Sequence, residues 1–222
     1  MRGDRVTVRT GKRKTDPVRI ARAGAEVARR SGVDGITMRS VATELGVTPM
    51  ALYRWYDTAD ALRQAAVGAA LDRILSPPPD GTPTDRLRGW AVGARPQFVR
   101  VQGLSEACLR WWPETHEGAR IMERLLGVTA SHTDDVRRQY LIAHTIFVLV
   151  VTQAGADRAI LDRRRSRPQF AHATKPGLFP RLSQVEVDVR TVDLDLQFSI
   201  GLEALLGALL GPGRRRRTPH GA

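Results

Sequence analysis

Thr37-Met38-Arg39-Ser40-Val41-Ala42-Thr43-Glu44-Leu45-Gly46-Val47-Thr48-Pro49-Met50-Ala51-Leu52-Tyr53-Arg54-Trp55-Tyr56 is the stretch whose reading decides the fold. Thr37 has the hydroxyl that a helix start needs. Met38, Val41, Ala42 and Leu45 then recur at the spacing of one helix face. Gly46 breaks the pattern after barely two turns and can take the left-handed backbone that a sharp turn requires. Val47 plugs the junction. Thr48-Pro49 repeats the start signal, a cap followed by a residue that needs no N–H, and a second short helix is expected from Thr48 to about Tyr56. Val41, Leu45, Val47 and Leu52 glue the pair together, and Ala42 is small where the two helices must approach. The outer face is left with Thr48, Met50, Tyr53, Arg54 and Trp55. A short helix presented this way, N-terminus outward, fits the major groove of duplex DNA with its first residues at base edges.

Working outward, Asp16-Pro17 starts an earlier helix. Ile20, Ala23, Gly24, Val27 and Ala28 mark its inner face, and Gly32 ends it. Asp57 or Thr58 caps a later one, expected to run to about Leu75. Pro77-Pro78-Pro79 and Gly81-Thr82-Pro83 then make a clear break. Beyond it the pattern is helical again, over 84–101, 103–111, 114–127, 133–163 and 192–210. Residues 164–183 read as loop, and Val185-Glu186-Val187-Asp188-Val189 alternates in the manner of a strand. The expected architecture is all-α. It divides into a disordered basic arm (1–15), a three-helix helix-turn-helix unit (16–66), a larger helical unit (67–211) and a disordered basic tail (212–222).

The distribution of charge supports a polyanion partner. Residues 1–63 hold 13 Lys and Arg against 7 Asp and Glu, a surplus of six. The last eleven residues hold four arginines and no acid. The rest, 18 against 16, is nearly neutral. A basic head on a neutral body is the electrostatic footprint of nucleic-acid binding. No uninterrupted apolar run of 18 residues occurs, so a membrane span is not expected. The N-terminus leads into no apolar segment of the secretory kind, and a cytoplasmic location is the default.

Catalysis finds no footing. The five histidines (His116, His132, His144, His172, His220) include no pair at i, i+4 with another His or an acid, the spacing of a zinc helix. No glycine-rich phosphate loop and no G-x-S-x-G occurs. The single cysteine, Cys108, permits no intramolecular disulfide. Asp134-Asp135 reads as an acid pair at a helix start, and Asp193 and Asp195 likewise belong to the first turn of the last helix. Neither an enzyme nor a cofactor or metal is expected.

The quoted stretch, the helix before it and Asp57-Thr58-Ala59-Asp60-Ala61-Leu62 after it resemble the DNA-binding domain of the TetR family of bacterial transcriptional regulators. The resemblance covers about residues 17–66 and is most specific from Gly46 to Tyr56. The segment Val192–Leu206 also resembles the last helix of many members. The resemblance implies a homodimeric repressor that leaves a palindromic operator when a small-molecule effector binds. It implies that Thr37 and Arg39 touch phosphate or a base edge, that Thr48, Pro49, Met50 and Ala51 approach the bases, that Tyr53 and Tyr56 hydrogen-bond phosphates, and that Arg54 reaches a guanine or a phosphate. Members usually place a lysine where this chain has Ala59, so one phosphate anchor is missing. The arm (Arg2, Arg5, Arg9, Lys12, Arg13, Lys14) is the candidate to compensate.

In the larger unit the resemblance implies an effector pocket at Trp90, Phe98, Trp111, Trp112, His144 and Phe147. It also implies a four-helix dimer interface from 133–163 and 192–210, with Ala154, Gly155, Gly201, Ala204 and Gly207 allowing close approach. An architectural DNA-binding protein of low specificity, dominated by arm and tail, is the alternative reading.

Overall fold

The computed structural model describes residues 15–74, 76–111, 115–165 and 193–211. Among them the chain is all-α, with helices α1 (Pro17–Ser31), α2 (Met38–Leu45), α3 (Pro49–Tyr53), α4 (Ala59–Leu71), α5 (Pro83–Arg100), α6 (Leu104–Trp111), α7 (His116–Thr129), α8 (Val136–Arg165) and α9 (Leu194–Leu210). The arm, the tail and the strand-like 185–189 lie outside the described residues.

The helix starts follow from single side chains. Asp16 Oδ1 accepts the Arg19 N–H at 2.9 Å. Thr37 and Ser40 form a reciprocal capping box: the Thr37 N–H donates to Ser40 Oγ at 2.9 Å and the Ser40 N–H to Thr37 Oγ1 at 3.0 Å. Thr58, rather than Asp57, caps α4 through the Ala61 N–H at 3.1 Å. Asp135 Oδ1 accepts the Arg137 N–H at 3.0 Å at the start of α8, and Asp193 Oδ1 accepts the Leu196 N–H at 2.9 Å at the start of α9. Gly46 takes φ +68°, ψ +36° at the end of α2, the left-handed conformation expected of it.

α1 lies along α4, and the two backbones nearly touch. A Cβ built on Gly24 would sit 2.6 Å from the Ala66 Cβ, so only glycine fits there. Around this contact Ile20, Val27, Ile36, Val41, Leu52 and Leu62 are buried, which fixes α2 and α3 against the α1–α4 pair. At the far end of α4 the Glu26 carboxylate of α1 bonds to Arg73 and to its own neighbour Arg29. Burial pushes that carboxyl up, but the two guanidinium bonds outweigh it and hold it below the usual range.

The body packs α5 on α8. Trp90, Ala91, Ala94 and Phe98 of α5 meet Phe147, Val150, Val151 and Ala154 of α8 in one core that runs without interruption into the head. By length and composition α8 could cross a membrane. Here its inner face (Ile142, Ala143, Ile146, Phe147, Val150) is wholly buried in that core. Pro96 is tolerated within α5 on an exposed turn.

α9 is pinned by two arginines of α5. Arg88 grips Glu203 with both ends of its fork, at 2.6 and 2.9 Å. Arg95 bonds Asp157 and Asp195, each at 2.6 Å, and the Leu194 carbonyl at 3.0 Å, with its guanidinium 4.7 Å from the Phe198 ring centre. Burial pulls the Arg95 pKa down, but its two carboxylate partners raise it further than that, so the group is firmly charged.

Gly24→Ala is expected to cost about 1–3 kcal/mol through overpacking, and adding Ala66→Gly to recover part of the loss. Gly46→Ala meets no atom within 4 Å, so it pays only backbone strain, about 1–2 kcal/mol, and Ala66→Gly does not relieve it. Urea unfolding of the four variants checks the pattern.

Candidate nucleic-acid interface

α2, the turn at Gly46 and α3 form the helix-turn-helix. The turn is closed by the Val47 N–H, which donates to the Ala42 carbonyl at 3.0 Å. Leu52 is the buried anchor of α3. With Leu52 turned inward, the other side of this short element faces out. Met50 is 72% exposed and Tyr53 46%. Thr37, Arg39, Thr48, Pro49 and Arg54 are exposed with them, and Ala51 is half-buried.

Three details differ from expectation. α3 stops at Tyr53 instead of reaching Tyr56, because the Trp55 and Tyr56 N–H groups both turn back to the Leu52 carbonyl, at 2.9 and 3.0 Å. Arg54 and Tyr56 therefore stand just beyond the helix. Thr48 occupies the cap position of α3 but its hydroxyl makes no capping bond, so that hydroxyl is free for an outside partner. Trp55 is 45% exposed and does not serve as a buried packing residue against α4.

Tyr56 is the candidate phosphate ligand with a structural duty. Its hydroxyl donates to the Pro17 carbonyl at 3.0 Å, tying the end of the helix-turn-helix to the start of α1. Burial pushes its phenol pKa up, and the Asp16 carboxylate adds to that. The Tyr56 oxygen keeps acceptor capacity, but its proton is spoken for. Tyr53 has no such tie and is the freer donor.

The arginines of the head divide by face. Arg29 pairs with Glu26, Arg30 with Glu44, and Arg63 with Asp60. Arg39 and Arg54, on the outer side of α2 and just after α3, have no ion pair among the described residues. Two guanidinium groups left uncompensated beside Thr48 and Tyr53 make a surface suited to an anion. Arg22 of α1 was passed over in the sequence reading. It is exposed, has no ion pair among the described residues, and lines a groove of about 310 Å³ with Pro17 and Tyr56. The sign that marks it, a basic side chain without an acid, is visible only once the ion pairs are known.

The proposed effector residues do not come together. Trp90, Phe98 and Phe147 are each at most 1% exposed and fill the α5–α8 core, with the Trp90 and Phe147 rings 6.4 Å apart and 24° from parallel. His144 sits half-buried at the edge, stacked on Tyr140 at 5.3 Å. Trp111 lines a separate cleft between head and body. Trp112 lies outside the described residues. The residues proposed for close helix approach also divide: Ala154 is core, and Gly155 faces Ser105 and Glu106 of α6, whereas Ala204 and Gly207 of α9 are exposed. Cys108 is buried and desolvation pushes its thiol up to about 12, so it holds no thiolate for chemistry at neutral pH.

No protein-family model and no curated relative matches the sequence. Solved structures do match. A possible TetR family transcriptional regulator from Streptomyces coelicolor A3(2) is 20% identical, with a TM-score of 0.71 over 87% of this chain and 98% of that one. ActR from Streptomyces coelicolor in complex with actinorhodin is 20% identical, with a TM-score of 0.67 over 90% and 98%. BioQ with its double-stranded DNA operator is 17% identical, with a TM-score of 0.64 over 89% and 99%. The chain has the TetR-family fold, over its head and its body alike.

Tyr56→Phe is expected to lower stability by about 0.5–1.5 kcal/mol, the worth of one hydrogen bond, while Tyr53→Phe leaves it unchanged. Because the folded-state pKa of Tyr56 lies above its model value of 10.0, its contribution is complete below that pH and is lost as pH rises past it. The alkaline fall in stability should be shallower in Tyr56→Phe, as unfolding at a series of pH values will show.

Proposed function

We propose that this protein is a DNA-binding transcriptional regulator of the TetR family that acts as a homodimer. The observation that carries the reading is the outer face of the helix-turn-helix. Thr48, Met50, Tyr53, Arg39 and Arg54 are exposed on it, and its arginines are unpaired while those elsewhere on the head are neutralised. In this reading Thr48, Pro49, Met50 and Ala51 meet base edges, Arg54 meets a guanine or a phosphate, and Thr37, Arg39, Tyr53 and Tyr56 hold the backbone.

A dimer follows from the reading. Two such heads must lie about 34–36 Å apart to meet successive major grooves. The outer faces of α8 and α9 supply a surface for it: Leu141 is 60% exposed, Leu196 57% and Ile200 64%, beside the small Ala204 and Gly207. Repression of a promoter, with release by a small-molecule effector, is the proposed mode of control. The fold neighbours include one protein bound to a small molecule and one bound to its operator.

DNA fragments selected from the source genome by the intact protein supply the operator. Binding to it should weaken roughly 5- to 150-fold in Arg54→Ala, the range for one lost base or phosphate contact. It should also fall steeply with salt, as expected for several phosphate contacts per dimer. A preference of less than about tenfold over competitor DNA would favour the low-specificity architectural reading instead.

A further inference from the structure

The largest cleft among those with described linings, about 430 Å³, lies between the head and the body. It is far from empty of charge. Two of its arginines are already satisfied: Arg63 by Asp60 at 2.8 Å and the Ile36 carbonyl at 3.1 Å, and Arg158 by Asp162 at 3.0 Å. The charges left over are two carboxylates, Asp34 from the head and Glu106 from α6, against one guanidinium, Arg110. None of these three has an ion pair among the described residues.

Three further features shape the cleft. Gly155 of α8 lets α6 come close, so that the Glu106 carboxylate is 3.6 Å from where a Cβ would be. Trp111 forms a half-buried aromatic wall. The Val33 N–H of the head donates to the Gln102 carbonyl of the body at 2.9 Å, at the edge of the same space. In a chain of net charge +12, a roomy cleft with a surplus of unpaired carboxylate beside an indole is matched to one ligand chemistry.

We infer that this cleft binds a small organic cation carrying an aromatic or apolar body. Its ammonium is held by Glu106 and Asp34 and its body by the face of Trp111. Since Asp34 belongs to the head and Glu106 to the body, one ligand joins the two and tightens the Val33–Gln102 junction. The site is separate from the Trp90–Phe98–Phe147 core, and its occupation is measured without DNA. Its failure therefore leaves the DNA-binding reading standing, and the reverse is also true.

The experiment is calorimetric titration of the intact protein with benzylammonium, and with benzoate as a probe of the same size and opposite charge. Saturable binding of benzylammonium, one per chain, is expected, with none of benzoate. Affinity should drop about tenfold in Glu106→Gln, as for loss of a charged hydrogen bond. That variant should melt with the wild type, because the Glu106 carboxylate has no ion-pair partner to lose. Bound benzylammonium should also slow amide hydrogen exchange over residues 32–36 and 101–111. Absence of saturable binding, equal affinity in Glu106→Gln, benzoate binding as tightly, or binding without that protection would each overturn the assignment.

Discussion

The approach of α1 to α4 at Gly24 and Ala66 is the constraint on which the rest depends. The 2.6 Å that a Gly24 Cβ would leave sets the two helices closer than side chains normally allow. That closeness makes α4 part of the head's core, through Leu62 and Ala66. The same helix belongs to the body. Gly68 lets the Glu117 carboxylate of α7 approach to 2.5 Å of a would-be Cβ, and Asp72 bonds Arg120 of α7 at 2.9 Å. Thirteen residues of helix, about 20 Å, thus carry one face of each unit. A boundary drawn at residue 66 cuts through this shared element, and the unbroken core from Ile20 to Leu206 shows why no sharper division exists.

What could be read from the sequence was local. Caps at Asp16, Thr37, Thr58, Asp135 and Asp193, and the left-handed glycine at Gly46, depend on atoms within a few residues of each other. Their residue types therefore announce them, and helix bounds follow to within a few positions. α3 was drawn too long because helical spacing at Trp55 and Tyr56 cannot reveal that their N–H groups bend back to Leu52. The effector residues were misjudged for a different reason. Aromatic side chains on neighbouring helices can equally fill a core or line a cavity, and which occurs depends on volumes contributed by distant segments. Here Trp90 and Phe147 filled the space themselves.

The charge pattern was half legible. The surplus in the head was countable, but its division into paired and unpaired arginines was not. Arg30 finds Glu44 across the α1–α2 crossing and Arg73 finds Glu26 from 47 residues away. Only after these pairs are removed does the positive potential contract onto Arg39, Arg54 and Arg22. The Arg95 cluster was hidden in the same way, since Asp157 and Asp195 come to it from separate helices. With Asp157 only 1% exposed on its side chain, that cluster fixes the start of α9, and with it the surface proposed for the dimer.

These placements bear on how a head could respond to the body. Movement transmitted through α4 must work against its close contacts on both sides, where Gly24 and Gly68 leave no slack. The second junction is softer. It consists of the Val33–Gln102 hydrogen bond, the approach of Gly103 to Val33, and a cleft bordered by exposed charges. A tight joint and a loose one on either side of the same head define a hinge, with α4 as its axis and the cleft as the gap that opens or shuts. A hinge of this kind needs no rearrangement of the α5–α8 core, which is consistent with that core being filled by Trp90, Phe98 and Phe147 and leaving the control of head position to the rim of the molecule.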